Sequence, residues 1–193
     1  MYELQKLRCH LCGEIFTATP PPEVGPEKYD AASAGMIALL KYGTGMPFNR
    51  LERLQGDLGI PLPAATQWDI VEESGDRIEP AGAELIRQAA QGQVFHNDDT
   101  RMKILALLNP AYATTAAELP DRKNAYFYKT DHGARVGDLF MSLIHTCELN
   151  NVNPFDYLTQ LLEHPNELAT HPADWMPWNY QQTLQRLAAP QSR

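Results

Sequence analysis

The sequence predicts a mainly α-helical protein with a small β element, and three observations carry that prediction. Apolar residues recur at helical spacing in at least three runs between positions 29 and 92. Clear strand-type alternation occurs at one place, positions 93–105, and helical spacing resumes at 139–147 and 158–162. The 193 residues allow one domain or two small ones, and 44% hydrophobic content gives a core of moderate size. No apolar run approaches the roughly 18 residues that cross a bilayer, and Met1-Tyr2-Glu3-Leu4 has no signal-peptide pattern. These features predict a cytoplasmic protein with no membrane partner. A net charge of −8 argues against indiscriminate coating of nucleic acid, so any DNA contact requires a local basic patch.

The first element is Cys9-His10-Leu11-Cys12 followed by Gly13, which reads as half of a zinc site. Structural zinc takes four ligands. The eight residues before Cys9 offer no second pair, the next cysteine is Cys147, and His10 lies inside the turn as a poor third candidate. The alternative is a knuckle with two free thiols. Thr19-Pro20-Pro21-Pro22-Glu23-Val24-Gly25-Pro26 is then a linker, since consecutive prolines hold an extended chain and enter neither helix nor central strand. Knuckle and linker together make a first segment, residues 1–28.

Residues 29–92 are predicted to be a helical domain. Asp30 caps a helix carrying Met36, Ile37, Leu39 and Leu40, with Gly43 as its stop. Pro47 opens a second helix, in which Phe48, Leu51, Leu54 and Leu58 recur at helical spacing before Gly59. A third carries Trp68, Val71 and Ile78, is expected to break near Pro80, and resumes through Leu85 and Ile86 to Gly92. Two helices around a tight glycine-containing turn give this segment a helix-turn-helix-like character. Five basic against eight acidic residues in 41–91 weaken a DNA-reading role, because duplex readers use phosphate contacts to set register. Arg50 and Arg53, one turn apart, are the best candidates for such contacts, the alternative being a solvated helix face.

Positions 93–120 hold Val94-Phe95-His96-Asn97-Asp98-Asp99-Thr100, a strand with an acidic tip, then a second strand through Leu105. A carboxylate at such a tip can ligate a hard divalent cation. Two-metal phosphodiester chemistry, however, needs several carboxylates converging on ions roughly 3.5–4 Å apart. Residues 121–193 open with the densest local signature. Arg122, Lys123, Lys129 and Arg135 are interleaved with Tyr126, Phe127 and Tyr128, a pattern that supplies charge for phosphates and rings for bases. The aromatics could instead pack inward. Leu139, Phe140, Leu143, Ile144 and Cys147 mark a helix face, which makes Cys147 a buried thiol. Asn153-Pro154 starts another helix, and Trp175-Met176-Pro177-Trp178-Asn179-Tyr180 forms an aromatic anchor.

Taken together, these blocks carry a resemblance. Arg122-Lys123-Asn124, Phe127-Tyr128-Lys129-Thr130, Val136-Gly137-Asp138, Asn153-Pro154-Phe155-Asp156-Tyr157-Leu158 and Trp175-Met176-Pro177-Trp178-Asn179-Tyr180 strongly resemble the end of bacterial transposases of insertion-sequence family sixty-six, the TnpC type. The cysteine knuckle, the proline linker, Lys41-Tyr42-Gly43 with Pro47 and Arg50, and His96-Asn97-Asp98-Asp99-Thr100 are similar to the same family in the same order. The resemblance implies a ribonuclease-H-like core whose Asp, Asp and Glu hold two magnesium ions for in-line attack on DNA phosphates. It makes Asp98 the first catalytic aspartate and Asp99 its acidic neighbour. It also makes residues 1–28 half a zinc ribbon, with Cys9 and Cys12 as zinc ligands. It further implies DNA at element ends, and self or an intact transposase, as partners in the bacterial nucleoid.

Against that pattern, only Thr100 to Asp121 separate the aspartate pair from Arg122-Lys123-Asn124, and Ala111 and Tyr112 stand where the family's glutamate belongs. The sequence is therefore expected to be internally deleted as well as N-terminally truncated. On this reading 93–120 is a remnant of the ribonuclease-H-like core, and 121–193 is the C-terminal helical element. The expected function is a transposase-family protein without catalysis. Two alternatives are an active magnesium-dependent strand-transferase or nuclease, whose rebuilt acidic site would join Asp98 with Asp131, Asp138 or Glu148, and a decayed remnant without function.

Overall fold

The computed structural model describes residues 4–22, 28–92, 103–104 and 127–189. The chain divides into two compact units, Met1–Asp30 and Ala31–Arg193.

The first unit is built on a hairpin. Strand β1 (Lys6–Arg8) pairs antiparallel with β2 (Ile15–Thr17), Leu7 opposite Phe16. The Cys9 N–H donates to the Glu14 carbonyl at 2.8 Å and the Gly13 N–H to the Cys9 carbonyl at 2.9 Å, which closes the turn. Gly13 has φ +76°, where a residue with a Cβ is strained. These strands were not expected, because three residues are too few for an alternation signal to register. Every strand residue is exposed, as is Leu11 at the turn. A lone two-stranded hairpin is marginal in water.

The second unit is helical, as the spacing predicts. Helix α1 (Ala31–Ala38) passes into a π-turn, Leu39–Gly43, at the expected stop. The Thr44 hydroxyl donates to the Leu40 carbonyl at 2.6 Å and takes up one of the carbonyls freed there. Helix α2 (Phe48–Asp57) begins one residue after Pro47, and Gly59 at φ +75° reverses the chain beyond it.

Helix α3 (Ala64–Ala89) is the axis of the unit, 26 residues and about 39 Å long. It runs unbroken through Pro80, which corrects the expected interruption there. Proline lacks the N–H that would bond the carbonyl of Asp76, but Asp76 is exposed, so water can satisfy that carbonyl. Burial of Ile70, Val71, Ile78 and Ala81 on the other face holds the helix together across the defect. Ile86, counted as apolar face, is instead 72% exposed.

Strand β3 (Lys103–Ile104) pairs in parallel with β4 (Phe127–Tyr128). The expected first strand and its acidic tip lie outside the described residues.

Helix α4 (Asp131–Leu149) is capped by Thr130, whose hydroxyl accepts from the Gly133 N–H at 3.0 Å. It ends where Asn151, at φ 55°, lets the Val152 N–H reach back to the Cys147 carbonyl. Helix α5 (Pro154–Glu163) starts as predicted, with the Asn153 side chain accepting from the Phe155 N–H at 2.9 Å. Short helix α6 (Pro165–Thr170), a 3₁₀ turn (Pro172–Trp175) and α7 (Tyr180–Ala188) complete the described chain.

The core lies where α1, α4, α5 and the C-terminal turn pack around α3. Phe140, Leu143, Leu158, Leu161, Trp175 and Met176 are almost fully covered. Helix α4 approaches α3 closely because Gly82 carries no Cβ, and one placed there would collide with the Leu139 Cδ1. Polar ties fix the C-terminal segment onto this core. Arg77 on α3 donates to the Leu162 carbonyl at 2.8 Å, and the Tyr157 hydroxyl to the Trp175 carbonyl at 2.9 Å. No helix among the described residues is long and apolar enough to cross a membrane.

Candidate nucleic-acid interface and metal-ligand residues

The five cations of 41–91 separate into two groups in the structure. Arg77 is engaged with the Leu162 carbonyl, and Arg87 is held by Glu84 through two hydrogen bonds of 2.6 Å. That pairing, with a further bond from Gln88, keeps the Glu84 carboxyl down at about 2. Lys41 is half-buried against the rings of Tyr42 and Phe48, with its Nζ 5.8 and 5.2 Å from their centroids, and burial lowers its pKa. Arg50 and Arg53 remain. Both are exposed on α2, and among the described residues neither is held in an ion pair.

An aromatic ladder ties this region to the start of α4. Phe48 meets Trp68 edge-on at 6.3 Å, and Trp68 meets His132 at 6.1 Å. The His132 Nε2 lies 2.7 Å from the Glu72 Oε1. The ladder links Phe48 at the start of α2 through Trp68 to His132 near the start of α4, and Lys129 lies three residues before His132, ahead of that helix. Lys129 is exposed, and Arg135 is exposed but lies 3.4 Å from Asp131. Arg50, Arg53, Lys129 and Arg135 thus belong to one helical unit, whereas Arg122 and Lys123 fall outside the described residues. The ladder was not read from the sequence, since no period links Trp68 to a histidine 64 positions later.

Asp98 and Asp99 also lie outside the described residues. Among those described, no group of three His, Cys, Asp or Glu is gathered so that it could hold a metal. The three acids that could rebuild a site share α4. Asp131 and Asp138 stand about 10 Å apart along its axis and Asp131 and Glu148 about 25 Å, too far for one ion to engage the set. Asp131 is also engaged with Arg135.

Cys9 and Cys12 lie at the turn of the hairpin. Hydrogen bonding within the turn, chiefly from the Cys12 backbone and then from Leu11, lowers the Cys9 pKa, and the Cys12 thiol lies 4.0 Å from the Glu14 Oε2. Cys9 is half-buried and Cys12 exposed there, and two thiolates would be two of the four ligands that structural zinc takes. Cys147 is the opposite case. It is buried on α4, and desolvation, with the Glu148 charge adding to it, pushes its thiol up to about 12.

Comparison with known families matches residues 29–118 to the model of the transposase IS66 family, and residues 142–178 to that of the IS66 C-terminal element. The chain belongs to the IS66 transposase family. No curated protein and no solved structure matches it significantly. In this IS66 chain the first match opens on α1 and takes in α2, α3 and β3, and the second runs from within α4 to Trp178. The signature residues of the second stretch are structural here. Asn153 caps α5, Tyr157 ties the 3₁₀ turn, and Trp175 and Met176 fill the core.

Proposed function

We propose that this IS66-family chain binds DNA at element ends, and associates with itself or an intact transposase, without cutting or joining strands. The spacing between Asp98 and Arg122 carries this reading. Besides its neighbour Asp99, the intervening stretch contains two acids, Glu118 four residues before Arg122 and Asp121 next to it. The family's chemistry draws on two magnesium ions held by three separated carboxylates. Residues of such a site act as a unit, so the loss of members removes most of the rate. The helical unit supports the binding half of the proposal. Arg77 and Arg87 are committed internally, whereas Arg50 and Arg53 on α2 have no ion pair among the described residues, and a ring ladder links that helix to His132 near the start of α4, just after Lys129. Assembly with an intact transposase would make the chain a modulator of transposition.

Salt dependence tests the binding. Each phosphate contact contributes about 0.9 to the slope of log binding constant against log salt. Arg50→Gln with Arg53→Gln is expected to reduce that slope by about 2 on element-end DNA and to leave the melting temperature unchanged, because both side chains are exposed. An unchanged slope refutes the assignment of these arginines.

A further inference from the structure

We propose that the ring ladder of Phe48, Trp68 and His132 is a platform for unpaired bases, so that DNA engages the helical unit as a single strand with a base stacked at Trp68 and His132. The inference rests on the DNA-binding reading and names the form of DNA. Ring contacts of two kinds occur in this unit. Tyr42 lies flat on Phe140 at 5.4 Å and 3°, with both rings buried, so that stack is closed. In the ladder the rings cross at 76° and 88° instead. A ring that meets its neighbour edge-first keeps its own faces clear of that neighbour. Phe48 and Trp68 are half-buried and His132 is exposed, so the ladder reaches the surface at His132.

The outer ring is held in place before any base arrives. Glu72 stands one turn after Trp68 on α3, and its Oε1 lies 2.7 Å from the His132 Nε2, so carboxylate and indole together fix the imidazole. A ring already fixed loses little freedom when a base stacks on it. Cations for the strand's phosphates flank the rings. Lys129 precedes His132 by three residues, Arg135 follows it by three and Arg50 follows Phe48 by two, all exposed. The Lys41 Nζ lies 5.2 Å from the Phe48 centroid. Of the nearby acids, Glu72 is occupied by His132 and Asp131 by Arg135, whereas Asp69, next to Trp68, is exposed and opposes the cations. Rings interleaved with cations suit a single strand, because every base has a face to stack while in a duplex those faces are already covered. A frayed duplex end supplies such a strand.

The test titrates the full chain into a short fluorescent oligonucleotide of mixed sequence, offered as a single strand and as a duplex with its complement, and reads anisotropy over a range of salt. The single strand is expected to bind more tightly. His132→Ala should weaken single-strand binding about tenfold, the measure of one lost base stack, with the duplex affinity and the salt slope unchanged. His132→Phe, which keeps a ring, should restore the single-strand affinity. Both changes fall at an exposed position, so the helical circular dichroism should be retained. Tryptophan fluorescence should be quenched by the single strand, and still quenched in Trp178→Phe, since Trp175 is 1% exposed and Trp68 then carries the signal. Tighter binding of the duplex, a silent His132→Ala, or quenching lost in Trp178→Phe would each overturn the platform while leaving the DNA-binding reading in place. Binding to neither form would overturn both.

Discussion

Deleting one buried hydroxyl, Tyr157→Phe, should measurably loosen the C-terminal element. Tyr157 is fully buried, and its hydroxyl donates to the carbonyl of Trp175, itself 1% exposed, at 2.9 Å. Phenylalanine keeps the ring and its edge-on contact with Tyr180 at 5.2 Å, so the change isolates the hydrogen bond. A buried carbonyl left without its donor costs about 1–3 kcal/mol. For a chain of this size each kcal/mol moves the melting temperature by about 2–4 °C, giving a fall of roughly 2–12 °C. Thermal unfolding followed by circular dichroism reads it. Trp178→Ala, in the same signature but at a 43% exposed position, is the internal control and should shift far less. Equal melting of Tyr157→Phe and wild type would refute the claim that the signature is a packing device.

Pro80→Ala should stabilise the chain by about 1–2 kcal/mol in urea denaturation, since alanine restores a donor to the Asp76 carbonyl in a continuous helix; a loss of stability would show that the proline ring packs productively. With a thiol reagent at mild pH, Cys9 and Cys12 should react in the native chain and Cys147 only after denaturation. The Cys147 pKa is raised on folding, so its contribution to stability is complete below about 9 and is lost as pH climbs toward 12. Replacing it by alanine should flatten that alkaline limb relative to the wild type.

The helices were legible because their apolar residues repeat with the period of the core they face. Phe48 and Leu51, Val71 and Ile78, Phe140 and Leu143, and Leu158 and Leu161 all lie where spacing put them. Local chemistry placed the Asn153 cap and the buried Cys147 equally well. The break that the sequence predicts at Pro80 does not occur because proline's local cost is offset by burial along a 26-residue helix, which a local rule does not weigh. Tertiary assignments were harder to read. Nothing in the sequence distinguishes Arg77, spent on a carbonyl 85 residues away, from Arg50, which has no ion pair among the described residues. Likewise, the ladder from Phe48 through Trp68 to His132 arises from packing between helices rather than from any repeat.

The most direct test of the central claim is one incubation of the purified chain with end-labelled duplex from an element terminus and magnesium, run on native and denaturing gels. Binding without catalysis predicts a sequence-specific shift on the native gel and intact strands on the denaturing gel. Magnesium-dependent nicking that disappears in Asp98→Ala would contradict it.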